Sequence, residues 1–324
     1  MPTIQQAIVS YLEEVERSKS DNTTATYKFA IDRFAEVLKS NGLDIEKEDV
    51  TTLNVVTISW FIASLDDLKP SSERLYITAV KNFFIYLKAF EFNDINVEKL
   101  NHLIRRGARK VQGRIPEYPK QEVEDLIAFV ERMQIPENAG QRERLRILRD
   151  KAFIITLADT GLRVHEACKL TREDVNLEEG KAVITGKGNT RAVVRFSTRS
   201  LRALKAYLRA RAELDGESGK PLAKLPVFAR HDKRVGNKIK PISTNTGRNI
   251  VAERVQEALG WEMKEITPHT LRHRFVTEIV KKTGGNIRLA QILARHKNIT
   301  VTQRYTHMVN EELDQGYYDV FEDN

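Results

Sequence analysis

Residues 180–197 read GKAVITGKGNTRAVVRFS and carry the clearest strand signal in the chain. Two short runs rich in β-branched residues, 181–185 and 191–196, flank a turn made of glycine, lysine and asparagine. This arrangement predicts a β-hairpin. Helical spacing of apolar residues dominates on both sides of it, so we predict a mainly α fold with one small antiparallel sheet.

Helices are predicted before and after this hairpin. Residues 120–133 and 142–159 have helical periodicity, and the second helix is expected to end at Thr160 and Gly161. Beyond the hairpin, helices are expected to start near Ser197, Ser243, Pro268, Asn286 and Thr300. Residues 119–324 are therefore predicted to form a mixed α/β domain.

The first 104 residues have the pattern of a separate helical bundle. One apolar stripe with three- and four-residue spacing comprises Tyr27, Ala30, Ile31, Phe34 and Leu38. A second helix is expected to start at Pro70 and to turn these residues toward a core: Leu75, Val80, Phe83, Phe84 and Leu87. Two more amphipathic segments, 4–17 and 56–65, are also expected to be helices. We therefore predict about four packed helices in residues 1–104.

A basic segment separates the two predicted domains. Residues 105–118 contain glycines, one proline and only one acid, Glu117. Five cations lie in this segment, namely Arg105, Arg106, Arg109, Lys110 and Arg114. The composition predicts an interdomain linker. Its clustered charge favours a segment that runs beside a nucleic-acid backbone over a solvated tether.

The charge of the whole chain is also unevenly distributed. Its 324 residues have a formal net charge of +8, yet residues 101–300 alone carry 41 basic and 23 acidic side chains. Because phosphate contacts release counterions and add affinity independent of sequence, this excess favours nucleic acid as the partner over a merely solvated basic surface. The length is typical of two domains.

Composition excludes several classes of protein. The single cysteine, Cys168, excludes an intrachain disulfide framework and a zinc finger. No apolar run reaches the roughly 18 residues of a membrane helix. Acidic side chains such as Glu13 do not fit a secretory signal at the N-terminus. We therefore predict an intracellular, cytoplasmic protein without a membrane partner.

The hairpin turn fails as a phosphate-binding P-loop. Five residues instead of four separate Gly180 from Gly186, and Gly188 stands where that motif requires Ser or Thr. ATP binding is therefore excluded. From this turn alone, Lys187 is interpreted as a lysine exposed to solvent.

A pair of histidines fails as a zinc site. His269 and His273 lie four residues apart, as in zinc metalloproteases, but those enzymes need Glu directly after the first histidine. Here that residue is Thr270, and no third ligand lies nearby in the sequence. No metal site is predicted.

Six residues of reactive types follow one another in a characteristic order. They are Arg163, Lys187, His269, Arg272, His296 and Tyr305. The first lies in TGLRVHE at 160–166, and the last two, nine residues apart, lie in QILARHKNITVTQRYTHMVNEE at 291–312. This order and the second segment resemble the tyrosine recombinase family of phage integrases and Xer-like recombinases. One departure is Arg295, because the family usually has glycine before this second histidine.

The resemblance implies how a DNA phosphate would be bound. Arg163 and Arg272 would contact the non-bridging oxygens with their planar forks and stabilise the charge that develops during attack. His296 would donate a hydrogen bond to the same phosphate. Glu166 would orient neighbouring cations.

The resemblance also implies the proton transfers. Tyr305 is the implied nucleophile, and because its unperturbed pKa is about 10, His269 is assigned as its general base. Lys187 would give a proton to the leaving 5′ oxygen. His273 is assigned a supporting role beside the site. Considered in isolation, Tyr305 would be an ordinary half-buried helix tyrosine.

Taken together, the resemblance implies a site-specific DNA recombinase. Residues 1–104 would bind DNA and residues 119–324 would be catalytic. The enzyme would form a 3′-phosphotyrosine and a Holliday junction, as a homotetramer on two double-stranded DNA sites, with neither cofactor nor metal. It would associate with the nucleoid when bound to DNA. The need for an accessory DNA-bending or directionality protein is left open.

Two alternatives to a recombinase stay open from the sequence. A type IB topoisomerase shares the chemistry but rejoins the same strand. A catalytically silent DNA-binding regulator of recombination would keep the binding surfaces alone.

Overall fold

The chain divides into two compact units, Met1–Gly113 and Arg114–Asn324. A computed structural model describes residues 1–109, 118–185, 191–233, 238–260 and 265–296, together with Thr302. Each unit has its own hydrophobic core. Among the described residues, no helix is long and apolar enough to span a membrane.

Five α-helices form the described part of the N-terminal unit. They are α1 (Ile4–Ser18), α2 (Asp21–Ser40), α3 (Val55–Ala63), α4 (Pro70–Ala89) and α5 (Val97–Gly107). The sequence predicted about four, and α5 is the additional helix. Its last turn contains Arg105 and Arg106, so the helix extends into the segment predicted as a linker. Asn96 caps its start, and the two arginines stabilise its end through the helix dipole.

The core of the N-terminal unit is rich in aromatic rings. Phe34 contacts Phe61, Phe83 and Phe84 edge-on, with ring centroids 5.5, 6.4 and 5.9 Å away. All residues of the stripe predicted on α2 are buried. The helical spacing of apolar residues therefore places these helices around one core, as predicted.

One residue of α4 that was predicted to face the core is exposed. Leu75 has 45% of its surface accessible, whereas Val80 and Leu87 are fully buried. The buried face of α4 runs through Glu73 and Ile77, and residues two positions away from these lie on another side of the helix. The prediction for Leu75 was wrong because a carboxylate, Glu73, takes the buried position instead.

Eight α-helices and one three-stranded sheet form the described part of the C-terminal unit. The helices are α6 (Lys120–Arg132), α7 (Gln141–Thr160), α8 (Val164–Lys169), α9 (Thr198–Ala210), α10 (Ala212–Gly216), α11 (Thr244–Leu259), α12 (Pro268–Lys282) and α13 (Ile287–Ala294). The strands, antiparallel in this order, are β1 (Val175–Asn176), β2 (Lys181–Thr185) and β3 (Arg191–Arg195). The predicted fold class is confirmed. Strand β1 was not predicted because two residues are too few to show a period.

Strands β2 and β3 form the predicted hairpin. Lys181 pairs with Arg195 and Thr185 with Arg191, in continuous register. Alternate residues of β2 are buried, which is the pattern of a strand with one face on the core. The turn at 186–190 lies outside the described residues.

The predicted helix starts after the hairpin are confirmed at four positions. Ser197, Ser243 and Asn286 each accept a backbone N–H from the first turn of α9, α11 and α13. Pro268 is the first residue of α12, where a missing N–H leaves no helical bond unmade. The fifth predicted start, Thr300, lies outside the described residues.

Buried charges connect α7 with α11. The fully buried Asp150 carboxylate accepts hydrogen bonds from Arg149 at 2.6 and 2.8 Å and from Arg254 of α11 at 2.6 and 3.2 Å. A carboxylate between two guanidinium forks fixes orientation as well as distance. Because α7 also contacts α6, α8, α9 and α12, these ion pairs fix the helix whose end leads into the site.

Candidate active site

The site begins where α7 ends. Gly161 terminates this helix in the left-handed conformation, with φ of +58°, and a Cβ atom there would collide with the Phe275 ring. Glycine is therefore required both by the backbone conformation and by the close approach of α12. The turn places Arg163 directly before α8, as its N-cap residue.

Glu166 of α8 fixes Arg163 by two contacts. The Glu166 carboxylate accepts a hydrogen bond from the backbone N–H of Arg163 at 2.8 Å and another from Nη1 of the Arg163 guanidinium at 2.9 Å. Burial alone would raise the pKa of Glu166, but the Arg163 backbone N–H and the Arg295 charge hold that pKa below its usual value. Glu166 is thus an anion beside the cation that it was predicted to orient.

Arg272 approaches the same helix end from α12. Its buried guanidinium donates from Nη1 to the carbonyl of Gly161 and from Nη2 to the carbonyl of Ala294, at the end of α13. These two contacts fix the plane of the guanidinium between two helix ends. The structure therefore gives Arg272 a defined orientation close to the turn that carries Arg163.

His269 and His273 lie on one face of α12 and contact each other. Their Nε2 atoms are 2.8 Å apart. Burial, followed by the charges of Arg272 and Arg163, lowers the pKa of His269, and burial lowers that of His273 to about 4. Both rings are therefore mainly neutral near pH 7. If His269 donates from Nε2, its Nδ1 lone pair stays available for a proton.

His296 follows α13 and lies near both arginines. Its pKa is lowered to about 4 by burial first, and then by the charges of Arg272, Arg163 and Arg295. Its Nδ1 lies 2.8 Å from the hydroxyl of Thr302. In the tautomer in which Nδ1 accepts from that hydroxyl, Nε2 carries the proton and is a donor.

The described part of the site thus brings together four of the six predicted residues. These are Arg163, His269, Arg272 and His296. The other two, Lys187 and Tyr305, lie outside the described residues, and their assignments stay predictions. No group of three or more His, Cys, Asp or Glu side chains in the described part of the chain is arranged to hold a metal ion.

The predicted DNA contacts of the basic segment fall into three groups. Arg105 and Arg106 are exposed at the end of α5, and their role stays a prediction. Lys110 and Arg114 lie outside the described residues. Arg109 has a different environment within the N-terminal unit.

Arg109 is bound to its own unit through several contacts. Its Nε pairs with Glu73, whose side chain is only 3% exposed, and its Nη2 donates to the carbonyls of Leu65 and Leu68. The Arg109 backbone N–H also donates to Glu73 at 2.9 Å. Its proposed phosphate contact therefore competes with a structural role. No local pattern indicates this pairing, because Glu73 has the sequence context of an exposed residue in the first turn of α4.

Comparison with known proteins identifies the family. Residues 118–312 match the model of the phage integrase family. The tyrosine recombinase XerC of Thermodesulfovibrio yellowstonii is 28% identical over 321 residues, which cover 98% of this chain and 96% of that protein. The XerC of Bacillus subtilis is 28% identical over 312 residues, covering 95% and 93% of the two chains.

Solved structures share the fold. The XerH site-specific recombinase bound to palindromic difH substrate, in a post-cleavage complex, has a TM-score of 0.68 at 18% identity and covers 98% of this chain and 90% of its own. A lambda integrase dimer bound to a COC′ core site has a TM-score of 0.62 at 16% identity, with 94% and 95% coverage. The family match extends over the site described above and most of the C-terminal unit. The chain therefore belongs to the phage integrase family of tyrosine recombinases and is an enzyme of site-specific DNA recombination.

Proposed function

We propose that this site cleaves one DNA strand by attack of Tyr305 on a phosphodiester and rejoins it from a 3′-phosphotyrosine. The observation that carries the proposal is the convergence of two guanidinium groups, Arg163 and Arg272, with two neutral imidazoles, His269 and His296, at the end of α7. This combination supplies both phosphate binding and proton transfer without a metal ion.

The two arginines would act together as a phosphate clamp. A planar guanidinium binds two oxygens at once, so Arg163 and Arg272 together neutralise the charge that grows on the non-bridging oxygens. Glu166 and the carbonyls of Gly161 and Ala294 orient the two forks before DNA arrives. Such preorganisation lowers the barrier because little reorganisation accompanies the reaction. His296 donates a further hydrogen bond from Nε2 to the same phosphate.

The reaction moves two protons. The Tyr305 hydroxyl gives its proton to Nδ1 of His269 while its oxygen forms the new bond to phosphorus. The bond from phosphorus to the 5′ oxygen breaks, and Lys187 protonates that leaving oxygen. The phosphodiester energy is kept in the phosphotyrosine, so a 5′ hydroxyl can reverse the step. Attack by the 5′ hydroxyl of a second duplex exchanges strands.

Strand exchange between two duplexes determines the assembly that we propose. Four copies of the chain bind two double-stranded recombination sites and pass through a Holliday junction. XerH is bound to a difH substrate and the lambda integrase dimer to a core site, which supports DNA as the substrate here. Arg105, Arg106, Lys110 and Arg114 would contact the phosphate backbone outside the site.

The experiment starts with genomic DNA of the source organism, because the target sequence is unidentified. The full chain is incubated with sheared DNA and denatured with detergent, and the DNA ends that remain attached to protein are sequenced. A recurrent site then provides a suicide substrate, which is nicked so that the short 5′-hydroxyl fragment diffuses away and the covalent adduct accumulates.

Tyr305→Phe is the decisive variant. It removes one oxygen and retains the ring, so we expect no adduct on a denaturing gel and DNA binding close to that of the unaltered chain. An undiminished adduct would move the nucleophile to another tyrosine, such as Tyr317 or Tyr318. Relaxation of supercoiled DNA without strand exchange would favour a topoisomerase, and no adduct from the unaltered chain would favour a silent regulator.

A further inference from the structure

Arg295 has a backbone conformation that usually favours glycine. It terminates α13 with φ of +57° and ψ of +44°. Among the described residues, the other non-glycine residue with positive φ is Glu91, which is exposed in the turn after α4. Arg295 is different because its side chain is only 10% exposed. Glycine would adopt this conformation without strain. The contacts of the arginine side chain must therefore explain why arginine occupies this position.

The Arg295 side chain contacts three parts of the site. Nη2 donates to the Gly161 carbonyl at 2.9 Å and pairs with Glu166 at 3.3 Å. Nη1 donates to the Leu293 carbonyl at 3.0 Å and lies 3.4 Å from that of Thr160. The guanidinium therefore connects the ends of α7 and α13 with the start of α8. A cation is favoured there because the carbonyls at the end of a helix carry partial negative charge.

These contacts lead directly to the two phosphate-binding arginines. Glu166 lies between Arg295 and Arg163 and pairs with both. The Gly161 carbonyl accepts from both Arg295 and Arg272. Arg163 and Glu166 alone would have no net charge, and Arg295 restores a charge of +1 to this group. In a partly buried site that charge acts on a phosphate with little screening.

We propose that Arg295 is a positioning residue that holds Glu166, and through it the Arg163 fork, in the orientation that binds the scissile phosphate. The inference rests on the proposed function, because it assigns to Arg163 a contact with that phosphate. Arg295 itself does not contact the reacting atoms. A left-handed backbone held by a buried arginine is the kind of local strain that persists where surrounding contacts use it.

The test measures single-turnover formation of the covalent adduct on the suicide substrate, with enzyme saturating. Arg295→Met should slow adduct formation about 10- to 100-fold with unchanged DNA affinity, because the interaction it removes acts on the transition state. Arg295→Lys keeps the charge and should recover part of the rate. Arg295→Gly removes the guanidinium but also removes the backbone strain of the left-handed conformation. This variant should be as slow as the Met variant and should keep the melting temperature of the unaltered chain.

Arg172→Met is the matched control. Arg172 is also a partly buried arginine paired with a carboxylate, Asp215, at 3.0 Å, and this ion pair involves no site residue, so its replacement should leave the adduct rate unchanged. Equal rates for the unaltered chain, Arg295→Met and Arg295→Gly would overturn the inference and leave the proposed function standing. No adduct from the unaltered chain would overturn both.

A double-mutant cycle with Glu166→Gln separates positioning from a general structural effect. If Arg295 acts through Glu166, the double variant should react at the rate of Glu166→Gln alone. If the two side chains affect the reaction independently, the two rate reductions would instead multiply, and that result would overturn the inference even if Arg295→Met is slow.

Discussion

The two units of this recombinase bury different kinds of side chain. In the described part of the N-terminal unit the core is aromatic and aliphatic, and Glu73 is its buried charged residue. The described part of the C-terminal unit buries a larger charged set, comprising Arg149, Asp150, Arg211, Asp215, Arg254 and Arg272. A buried charge must be paired, and pairing fixes helices in orientation as well as in distance. Apolar packing suffices for a bundle, whereas a phosphate site needs cations in fixed directions.

This contrast predicts that chemistry depends on the C-terminal unit alone. Lys187→Ala should slow cleavage of ordinary DNA about 10²- to 10⁴-fold, the range for removal of a general acid, without weakening DNA binding. A 5′-bridging phosphorothiolate has a sulfur leaving group that needs little protonation, so most of the rate should return on that substrate. Equal defects on both substrates would make Lys187 a solvated turn residue.

The same contrast predicts unequal stability effects from removing one buried carboxylate charge in each unit. Asp150→Asn removes the anion between two buried guanidinium groups, leaving Arg254 paired with Glu257, and should lower the free energy of unfolding by about 3–5 kcal/mol. Glu73→Gln should cost about 1–3 kcal/mol, because Arg109 is partly exposed and can be solvated. Hydrogen exchange read separately in each unit provides the measurement. Equal decreases would mean that the buried charges do not distinguish the units.

Sequence patterns predicted the parts of the molecule that follow a period or a cap. The hairpin, the stripe on α2 and the helix starts at Ser197, Ser243 and Asn286 depend on neighbours in sequence, and the structure confirms them. The pairing of Glu73 with Arg109 joins residues 36 positions apart. No pattern among neighbouring residues indicates such a distant partner. The sequence therefore does not reveal that Glu73 is buried, and it wrongly favours Leu75 as a core residue.

The candidate site was predicted by residue order and not by contacts. The order of Arg163, His269, Arg272 and His296 identified the family, but it did not indicate that Arg272 donates to the Gly161 and Ala294 carbonyls. Arg295 is visible in the sequence only as a departure from the family pattern. Its ion pair with Glu166 forms because folding brings α7, α8 and α13 together. Tertiary packing decides these contacts.

The pH dependence of stability should also differ between the units. Burial lowers the pKa of His231 to about 3 and those of His273 and His296 to about 4, all below the unfolded value of 6.5. As pH falls below 6.5 the unfolded chain binds protons first, so stability present above that pH is lost toward pH 4. For each pH unit of this fall, each such histidine lowers the free energy of unfolding by up to about 1.4 kcal/mol.

The described part of the N-terminal unit contains no buried histidine, so its stability should change less over this range. Hydrogen exchange at pH 7 and pH 5 would compare the two units. His231→Gln should reduce the pH dependence of the C-terminal unit, since it removes one of the groups that must stay neutral. A decline of equal size in both units would contradict this explanation.

The smallest predicted effect belongs to the N-terminal unit and concerns affinity without chemistry. Arg105 and Arg106 are exposed at the end of α5, and Arg109 is bound to Glu73, so the proposed phosphate contacts at this end are the first two. Replacing both with Gln should flatten the plot of log affinity against log salt by roughly two units, about 0.9 for each phosphate that is no longer neutralised. The adduct rate at saturating enzyme should stay unchanged.

Arg17→Gln, which removes an exposed arginine from α1, should leave the slope as it is. An unaltered slope in the double variant would make this segment a solvated tether and assign DNA binding to other surfaces.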